Sequence, residues 1–149
     1  MIGGGPAGMA AAAICAERGH TVNLYEATEK LGGQFNMAKI IPGKEDYAET
    51  IRYYNKMLTK HKAEVFLNTK ATVATLNEVG YDEIIVATGV TPRRLDIKGV
   101  DHASVLDYKE VLWDRKKVGE KVAIIGAGGI GFDVAEFLAH PEDLSLIHI

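Results

Sequence analysis

The sequence predicts an α/β protein in which parallel strands alternate with helices, and three observations support this class. A G-x-G-x-x-G pattern occurs twice, at residues 3–8 and 126–131, and each copy runs directly into a segment of helical composition. Between and before the glycines lie β-prone apolar runs, at residues 21–25, 81–89 and 120–125. Strands that alternate with helical segments are typical of βαβ units built around a parallel sheet.

Length and composition are those of an ordinary globular domain. The chain has 149 residues, 47% of them hydrophobic and 25% charged, with a net charge of −3. This negative net charge argues against electrostatic binding of nucleic acid or of an anionic membrane over a large surface. No apolar run reaches the ~20 residues of a membrane span, and residues 1–16 lack the basic start of a signal peptide. The single cysteine, Cys15, excludes an internal disulfide. We therefore expect a cytoplasmic protein with neither a nucleic-acid nor a membrane partner.

The first glycine motif predicts a phosphate-binding turn at the start of a helix. In such a turn Gly3 permits the tight bend off a strand, Gly5 lets a pyrophosphate approach the backbone, and Gly8 allows close helix–strand packing. The helix predicted from Pro6 to about Arg18 would offer free N–H groups and partial positive charge to phosphates. Only two residues precede Gly3, whereas a leading strand takes about five, so we expect a chain cut at its start.

An acid follows the second predicted strand at the distance that a dinucleotide site requires. Glu26 lies directly after residues 21–25 and 23 positions after Gly3. In a dinucleotide-binding βαβ unit, an acid at this place accepts hydrogen bonds from the ribose hydroxyls of adenosine. Its charge would repel a 2′-phosphate, which favours FAD or NAD over NADP in the first site. The alternative is a solvated glutamate at a strand end.

Five further segments lie between the acid and the connector. Residues 30–34 form a turn whose two glycines would allow backbone contact with a ligand. A helix beginning at residues 45–46 is apolar on one face, which predicts a packing role. Residues 63–67 and 71–76 are predicted as short strands. Residues 81–89 are predicted as a buried parallel strand whose small final residues would let a ligand come close.

The second glycine motif stands in the order that supports such a motif, with a strand before it and a helix after it. Residues 120–125 are predicted as a clean buried strand, and a helix is predicted from Phe132 to about Ala139. Residues 144–149 are a candidate second strand that stops before the acid or arginine expected about twenty residues after the motif. A short helix is predicted at residues 108–115, and we expect the chain to be cut at its end too.

Neither a metal site nor a catalytic side chain is expected from the sequence. The histidines have no metal-ligand spacing with one another or with Cys15, and no Ser/His/Asp or Cys/His arrangement stands out. These histidines are His20, His61, His102, His140 and His148.

The tandem motifs, the acid, the Gly-Gly-Gln turn and the Ala-Thr-Gly strand end together resemble the FAD/NAD(P)-dependent pyridine nucleotide reductases. The resemblance covers residues 1–139 and implies a Rossmann-like, three-layer FAD-binding fold followed by the start of a second Rossmann-like domain that binds NAD(P)H. No C-x-x-C follows either motif, which argues against the disulfide-active branch. The resemblance implies FAD contacts from Gly3, Gly5, Pro6, Ala7, Gly8, Glu26, Ala27, Gly33, Gln34, Ala71, Ala87, Thr88 and Gly89. It implies NAD(P)H contacts from Gly126, Gly128, Gly129, Ile130 and Gly131.

A closer resemblance, at residues 38–44, 99–102 and 124–135, is to the NADPH-dependent 2,4-dienoyl-CoA reductases of the FMN, FAD and iron–sulfur type. It implies that NADPH passes hydride to FAD, and that electrons continue through a 4Fe–4S cluster and FMN to a dienoyl thioester of fatty acid β-oxidation. The FMN barrel and the iron–sulfur region would be partners within the same polypeptide. This chain is therefore expected to be inactive by itself.

The resemblance also implies a domain plan and leaves two alternatives open. Residues 1–95 are expected to form the FAD-binding domain, residues 96–117 a connector, and residues 118–149 the beginning of the NAD(P)H-binding domain. One alternative is a non-redox ADP-binding module like that of the trimethylamine dehydrogenases. The other is an electron-transfer reductase similar to the small subunit of glutamate synthase.

Overall fold

The structure, a computed structural model, describes residues 1–140, so the candidate strand at residues 144–149 lies outside the described part. The chain divides into two compact units. The first combines Met1–Asn36 with Asp46–Val90, and the second combines Met37–Glu45 with the chain from Thr91 onward. In chain order the elements are α1 (Pro6–Glu17), β1 (Asn23–Tyr25), α2 (Phe35–Ala38), α3 (Tyr47–Lys60), β2 (Glu64–Phe66), α4 (Val73–Val79), α5 (Tyr108–Leu112) and α6 (Gly129–Ala139).

A small parallel sheet organises the first unit. β1 and β2 pair in parallel, and Ile2 forms parallel bridges to Tyr25 on one side and to Val86 on the other. The N–H of Ala87 donates to the carbonyl of Ile2 at 2.7 Å, and the N–H of Gly3 donates to the carbonyl of Tyr25 at 2.8 Å. The order across the sheet is therefore β2, β1, Ile2 and Val86, which confirms the predicted α/β class with parallel pairing.

The alanine-rich α1 packs against both β1 and α3. Ala12 and Ala13 are buried, and their small side chains let the helix approach Leu24 of β1 and Leu58 of α3 closely. Pro6 stands at the first position of the helix, where its missing N–H costs nothing. The expected packing role of α3 is confirmed, because its apolar face joins this core.

The strand predicted at residues 71–76 is wrong, because α4 occupies Val73–Val79. Local capping explains the difference. The side chain of Thr72 accepts a hydrogen bond from the N–H of Thr75, and Gly80 closes the helix in the left-handed conformation with φ +71°. These two caps satisfy both ends of a short helix, whereas a strand would need a neighbouring strand to pair with.

The burial predicted for the strands at residues 81–89 and 120–125 is wrong within the described residues, although Val86 does pair in parallel with Ile2. Residues 81–89 pair with the sheet only through the bridge at Val86, whose side chain is 67% exposed. Residues 120–125 form no ladder with any segment of residues 1–140, and Ile125 is 70% exposed. A parallel strand depends on partners from elsewhere in the chain, and apolar composition alone does not supply them.

The second unit has its own small core. Buried side chains from the segment Met37–Glu45, from α5 and from α6 meet there. A capping box starts α5: Asp107 accepts from the N–H of Glu110, and the Glu110 side chain accepts from the N–H of Asp107. α5 ends at Leu112, three residues before the predicted end, and α6 begins at Gly129, three residues before the predicted start.

No helix within residues 1–140 is long and apolar enough to cross a membrane.

Candidate dinucleotide site

Two glycines close the turn between Ile2 and α1. Gly3 adopts φ +99°, and a Cβ on it would lie 2.3 Å from the carbonyl oxygen of Ala87. A Cβ on Gly8 would lie 1.8 Å from the carbonyl oxygen of Gly3. In both cases the obstacle is backbone, which cannot move aside as a side chain can. Only glycine therefore fits at either position, as the motif predicted.

The helix start that follows is open to a ligand. Gly5 is the N-cap of α1 in an extended conformation, and no side chain of the described residues caps this end. A Cβ on Gly5 would have the Cα of Gly33 as its nearest neighbour, at 3.9 Å. The N–H of Gly32 donates to the carbonyl of Gly4 at 2.8 Å. This hydrogen bond holds the turn at residues 30–34 beside the glycine motif at residues 3–8. The first N–H groups of α1 thus keep their capacity to bind an anion.

Glu26 is buried beside this loop, with 9% of the residue exposed. Its Oε2 accepts a hydrogen bond from the N–H of Gly4 at 2.7 Å, and its Oε1 accepts from both the N–H and the hydroxyl of Thr28 at 2.8 Å. A carboxylate can accept about four hydrogen bonds, so these three donors leave room for one more. The alternative of a solvated glutamate at a strand end does not describe this side chain.

The structure brings some of the predicted residues together and leaves others apart. Ala87 is half-buried against Gly3 and Gly8, and the side-chain amide of Gln34 donates to the carbonyl of Val90 at 3.2 Å. Ala27, Thr88 and Gly89 are exposed. Ala71 is half-buried next to the N-cap of α4, and within residues 1–140 it forms no hydrogen bond with the glycine loop.

Sequence reasoning missed Gly4 and Thr28. A Cβ on Gly4 would lie 2.4 Å from a methyl carbon of Leu31 and 3.1 Å from the carboxylate of Glu26. The only local signal was three consecutive glycines where the motif asks for two. Thr28 could have been suspected from a hydroxyl residue two positions after the acid, because such side chains often cap nearby groups.

Aromatic contacts surround the strand end that carries Glu26. The ring of Tyr25 stacks on that of Phe66 with centroids 4.9 Å apart. Its hydroxyl shares a hydrogen bond of 2.7 Å with the hydroxyl of Tyr81. This hydrogen bond, together with burial, raises the pKa of Tyr25 above its ordinary value. The stacked ring and the shared hydrogen bond hold residues 25–26 beside Phe66 and Tyr81.

The second glycine motif repeats the geometry of the first. Gly126 adopts φ +114°, and a Cβ on Gly131 would lie 2.2 Å from the carbonyl oxygen of Gly126. Gly128 is the extended N-cap of α6, again without a side-chain cap from the described residues. Within residues 1–140, no atom lies within 4 Å of a Cβ built on Gly128 or Gly129. Ile130, in the first turn, is half exposed. This helix start is open as well.

The described residues contain no candidate metal site. Among residues 1–140, no group of three or more histidine, cysteine or acidic side chains is placed to hold a metal ion.

Comparisons with known proteins give one family. The family described as "Pyridine nucleotide-disulphide oxidoreductase" matches residues 1–148. The cinnamate reductase of Clostridium sporogenes is 41% identical over 138 residues, covering 93% of this chain and 20% of its own length. The NADH oxidase of Thermoanaerobacter brockii is 36% identical over 145 residues, covering 93% of this chain and 22% of its own length.

A solved structure shares the fold over most of the chain. It is a 2-naphthoyl-CoA reductase in complex with 2-naphthoyl-CoA, with a TM-score of 0.88 and 36% identity. The match covers 92% of this chain and 21% of that one. The chain thus spans about a fifth of the length of the proteins that it matches.

Proposed function

The chain belongs to the pyridine nucleotide-disulphide oxidoreductase family, and we propose that it works within a longer flavoprotein oxidoreductase. In this proposal its first unit binds FAD and its second glycine motif binds NAD(P)H. The observation that carries the proposal is the buried carboxylate of Glu26, held beside an open helix start by the N–H of Gly4. An acid and a glycine turn in this arrangement serve the two ends of an adenosine diphosphate group.

The residues of the first unit fit the adenosine and pyrophosphate parts of FAD. The open start of α1 offers N–H groups to the phosphates, and a Cβ built on Gly5 would have no described atom nearer than 3.9 Å, which leaves them space. Glu26 keeps capacity for one more donor, which suits a ribose hydroxyl. A 2′-phosphate would meet the charge of this carboxylate, which supports FAD over NADP in the first site.

The chain's own residues bind and orient cofactors in this proposal. Pro6 and Ala7 would hold the phosphates, Gln34 and Ala87–Gly89 would hold the flavin end of FAD, and Gly126–Gly131 would hold the nicotinamide dinucleotide. FAD, when bound, supplies the redox chemistry by accepting a hydride from NADPH. The protein needs no acid or base of its own for that transfer, since its task is positioning.

The substrate of the longer protein is proposed from the names of its relatives. One relative is a cinnamate reductase and a solved relative is a 2-naphthoyl-CoA reductase. These names support reduction of a conjugated acid or thioester, and the narrower proposal is a 2,4-dienoyl-CoA of fatty acid β-oxidation. FMN and a 4Fe–4S cluster would then be held by the remainder of a cytoplasmic polypeptide. The proposed plan is an FAD domain at residues 1–95, a connector at 96–117 and the start of the NAD(P)H domain at 118–149, whereas the two units of the structure assign residues 37–45 and the predicted connector to the second unit.

One spectrum tests the proposal. The polypeptide that contains this chain is purified gently, and its visible absorbance is recorded before and after addition of NADPH or NADH under anaerobic conditions. Bound oxidised flavin that bleaches with either nucleotide supports the reductase. A colourless protein that releases ADP on denaturation would contradict it and favour the non-redox module.

A further inference from the structure

An ion pair joins two distant parts of the second unit. The Nζ of Lys44 lies 2.6 Å from Oδ1 of Asp133, and the two side chains are 37% and 24% exposed. Lys44 belongs to the segment Met37–Glu45, which places Met37 and Ile41 in the same core as Val134 of α6. The pair therefore attaches this segment to the helix that follows the second glycine motif.

Asp133 stands where a bare carboxylate would weaken the binding of an anion. α6 begins at Gly129, so the Cα of Asp133 lies about 6 Å further along the axis at 1.5 Å per residue. Side chains on a helix lean toward its N-terminus, which brings this charge closer to the open N–H groups. An uncompensated negative charge at such a distance repels phosphates, and partial burial reduces the screening by solvent.

We propose that Lys44 sets the affinity of the second glycine motif for dinucleotide phosphates by neutralising Asp133. The inference rests on the proposed function of that motif. Burial of Ile41 and Val134 in one core explains how a lysine 89 positions away in sequence reaches the helix start. With Lys44 in place, the charge of Asp133 is offset, and the anion meets the partial positive charge of the helix. Without Lys44, the anion meets the charge of Asp133.

A double-mutant cycle separates neutralisation from simple support of the helix. Lys44→Met should raise the Kd for NADPH by about 3- to 10-fold, from Coulomb's law at an intermediate effective dielectric. Asp133→Asn should leave the Kd unchanged or lower it, because the negative charge that Lys44 offsets is removed. The double variant should return close to the wild-type Kd. Lys44→Arg, which keeps the charge, is the matched control and should bind as the wild type does.

The measurement is a fluorescence titration of the full polypeptide with NADPH, and with NADH in parallel, at low and at high salt. Flavin content serves as the control for folding, and the effect of Lys44→Met should shrink as salt rises. If the wild type binds NADPH and Lys44→Met binds equally well, this inference fails while the proposed function stands. A double variant as weak as Lys44→Met also overturns the inference, since a lost support would then explain both.

Two further outcomes are decisive. Weaker binding by Asp133→Asn with normal flavin content overturns the neutralisation role even if Lys44→Met does not accumulate as folded protein. A wild-type polypeptide that binds neither nucleotide removes the proposed function of the second motif, and this inference with it.

Discussion

The backbone N–H of Gly4 donates a 2.7 Å hydrogen bond to the carboxylate of Glu26, in a buried contact between residues 22 positions apart. This bond links the glycine turn at the start of α1 to the end of β1. Thr28 holds the other carboxylate oxygen through two more hydrogen bonds. The protein's own donors therefore orient the acid, and part of its role is structural.

Replacing Glu26 should affect both stability and flavin retention. In Glu26→Ala the buried N–H of Gly4 loses its acceptor, which should destabilise the fold by about 1–3 kcal/mol. FAD should also be retained less well, by about 1.5–3 kcal/mol, because a charged acceptor for the ribose is lost. Thermal unfolding and the flavin-to-protein absorbance ratio measure the two effects. Glu29→Ala, which removes an exposed acid of the same segment, is the control and should keep the flavin. Unchanged flavin occupancy in Glu26→Ala would remove Glu26 from the site.

Alanine substitutions at Gly5 and Gly8 should have different effects, the first on FAD affinity and the second on stability. A Cβ on Gly8 would meet the carbonyl oxygen of Gly3 at 1.8 Å, so Gly8→Ala should destabilise the protein by roughly 1–3 kcal/mol or more. A Cβ on Gly5 would meet its nearest described neighbour at 3.9 Å, so Gly5→Ala should fold normally and lose affinity for FAD. Chemical denaturation and flavin titration of the apoprotein distinguish the two variants. Equal loss of stability in both would contradict the assignment.

Alanine substitutions in the second glycine motif should likewise differ, one lowering stability and the other lowering NAD(P)H affinity. Gly131→Ala places a Cβ 2.2 Å from the carbonyl oxygen of Gly126 and should destabilise the second unit. Gly128→Ala meets no atom of the described residues within 4 Å and should only weaken NAD(P)H binding at the open start of α6. NADPH titration against flavin content provides the measurement. Loss of flavin rather than NADPH affinity in Gly128→Ala would argue that the two motifs do not serve separate cofactors.

The cap of α4 accounts for a helix where a strand was predicted. Thr72→Ala removes the acceptor for the N–H of Thr75 and should cost about 0.5–2 kcal/mol of stability. Thr59→Ala is the matched control, because its hydroxyl only donates back to the carbonyl of Asn55 within α3 and should be close to neutral. Urea denaturation of both variants gives the comparison. A Thr72→Ala variant that is as stable as the wild type would contradict a stabilising cap at α4.

The features predicted correctly are those that depend on residues close together in the sequence. Gly3, Gly5, Pro6 and Gly8 act within one turn, so their pattern was enough to place the start of α1. The apolar face of α3 likewise follows from its own periodicity. The strand predicted at residues 71–76 is the exception, because the caps Thr72 and Gly80 are local signals for a helix that outweigh the β-branched composition of the segment.

By itself the sequence determined the parallel α/β class, the two glycine turns with their helices, and the family, because each depends on short spacings along the chain. Tertiary structure alone decided which predicted strands pair. Ile2 lies between Tyr25 and Val86, while residues 120–125 form no ladder within residues 1–140, since a strand's hydrogen bonds come from distant partners. It also decided the burial of Glu26 and the meeting of Lys44 with Asp133 across 89 positions. Contacts between residues so far apart depend on how the elements pack, which no local pattern encodes.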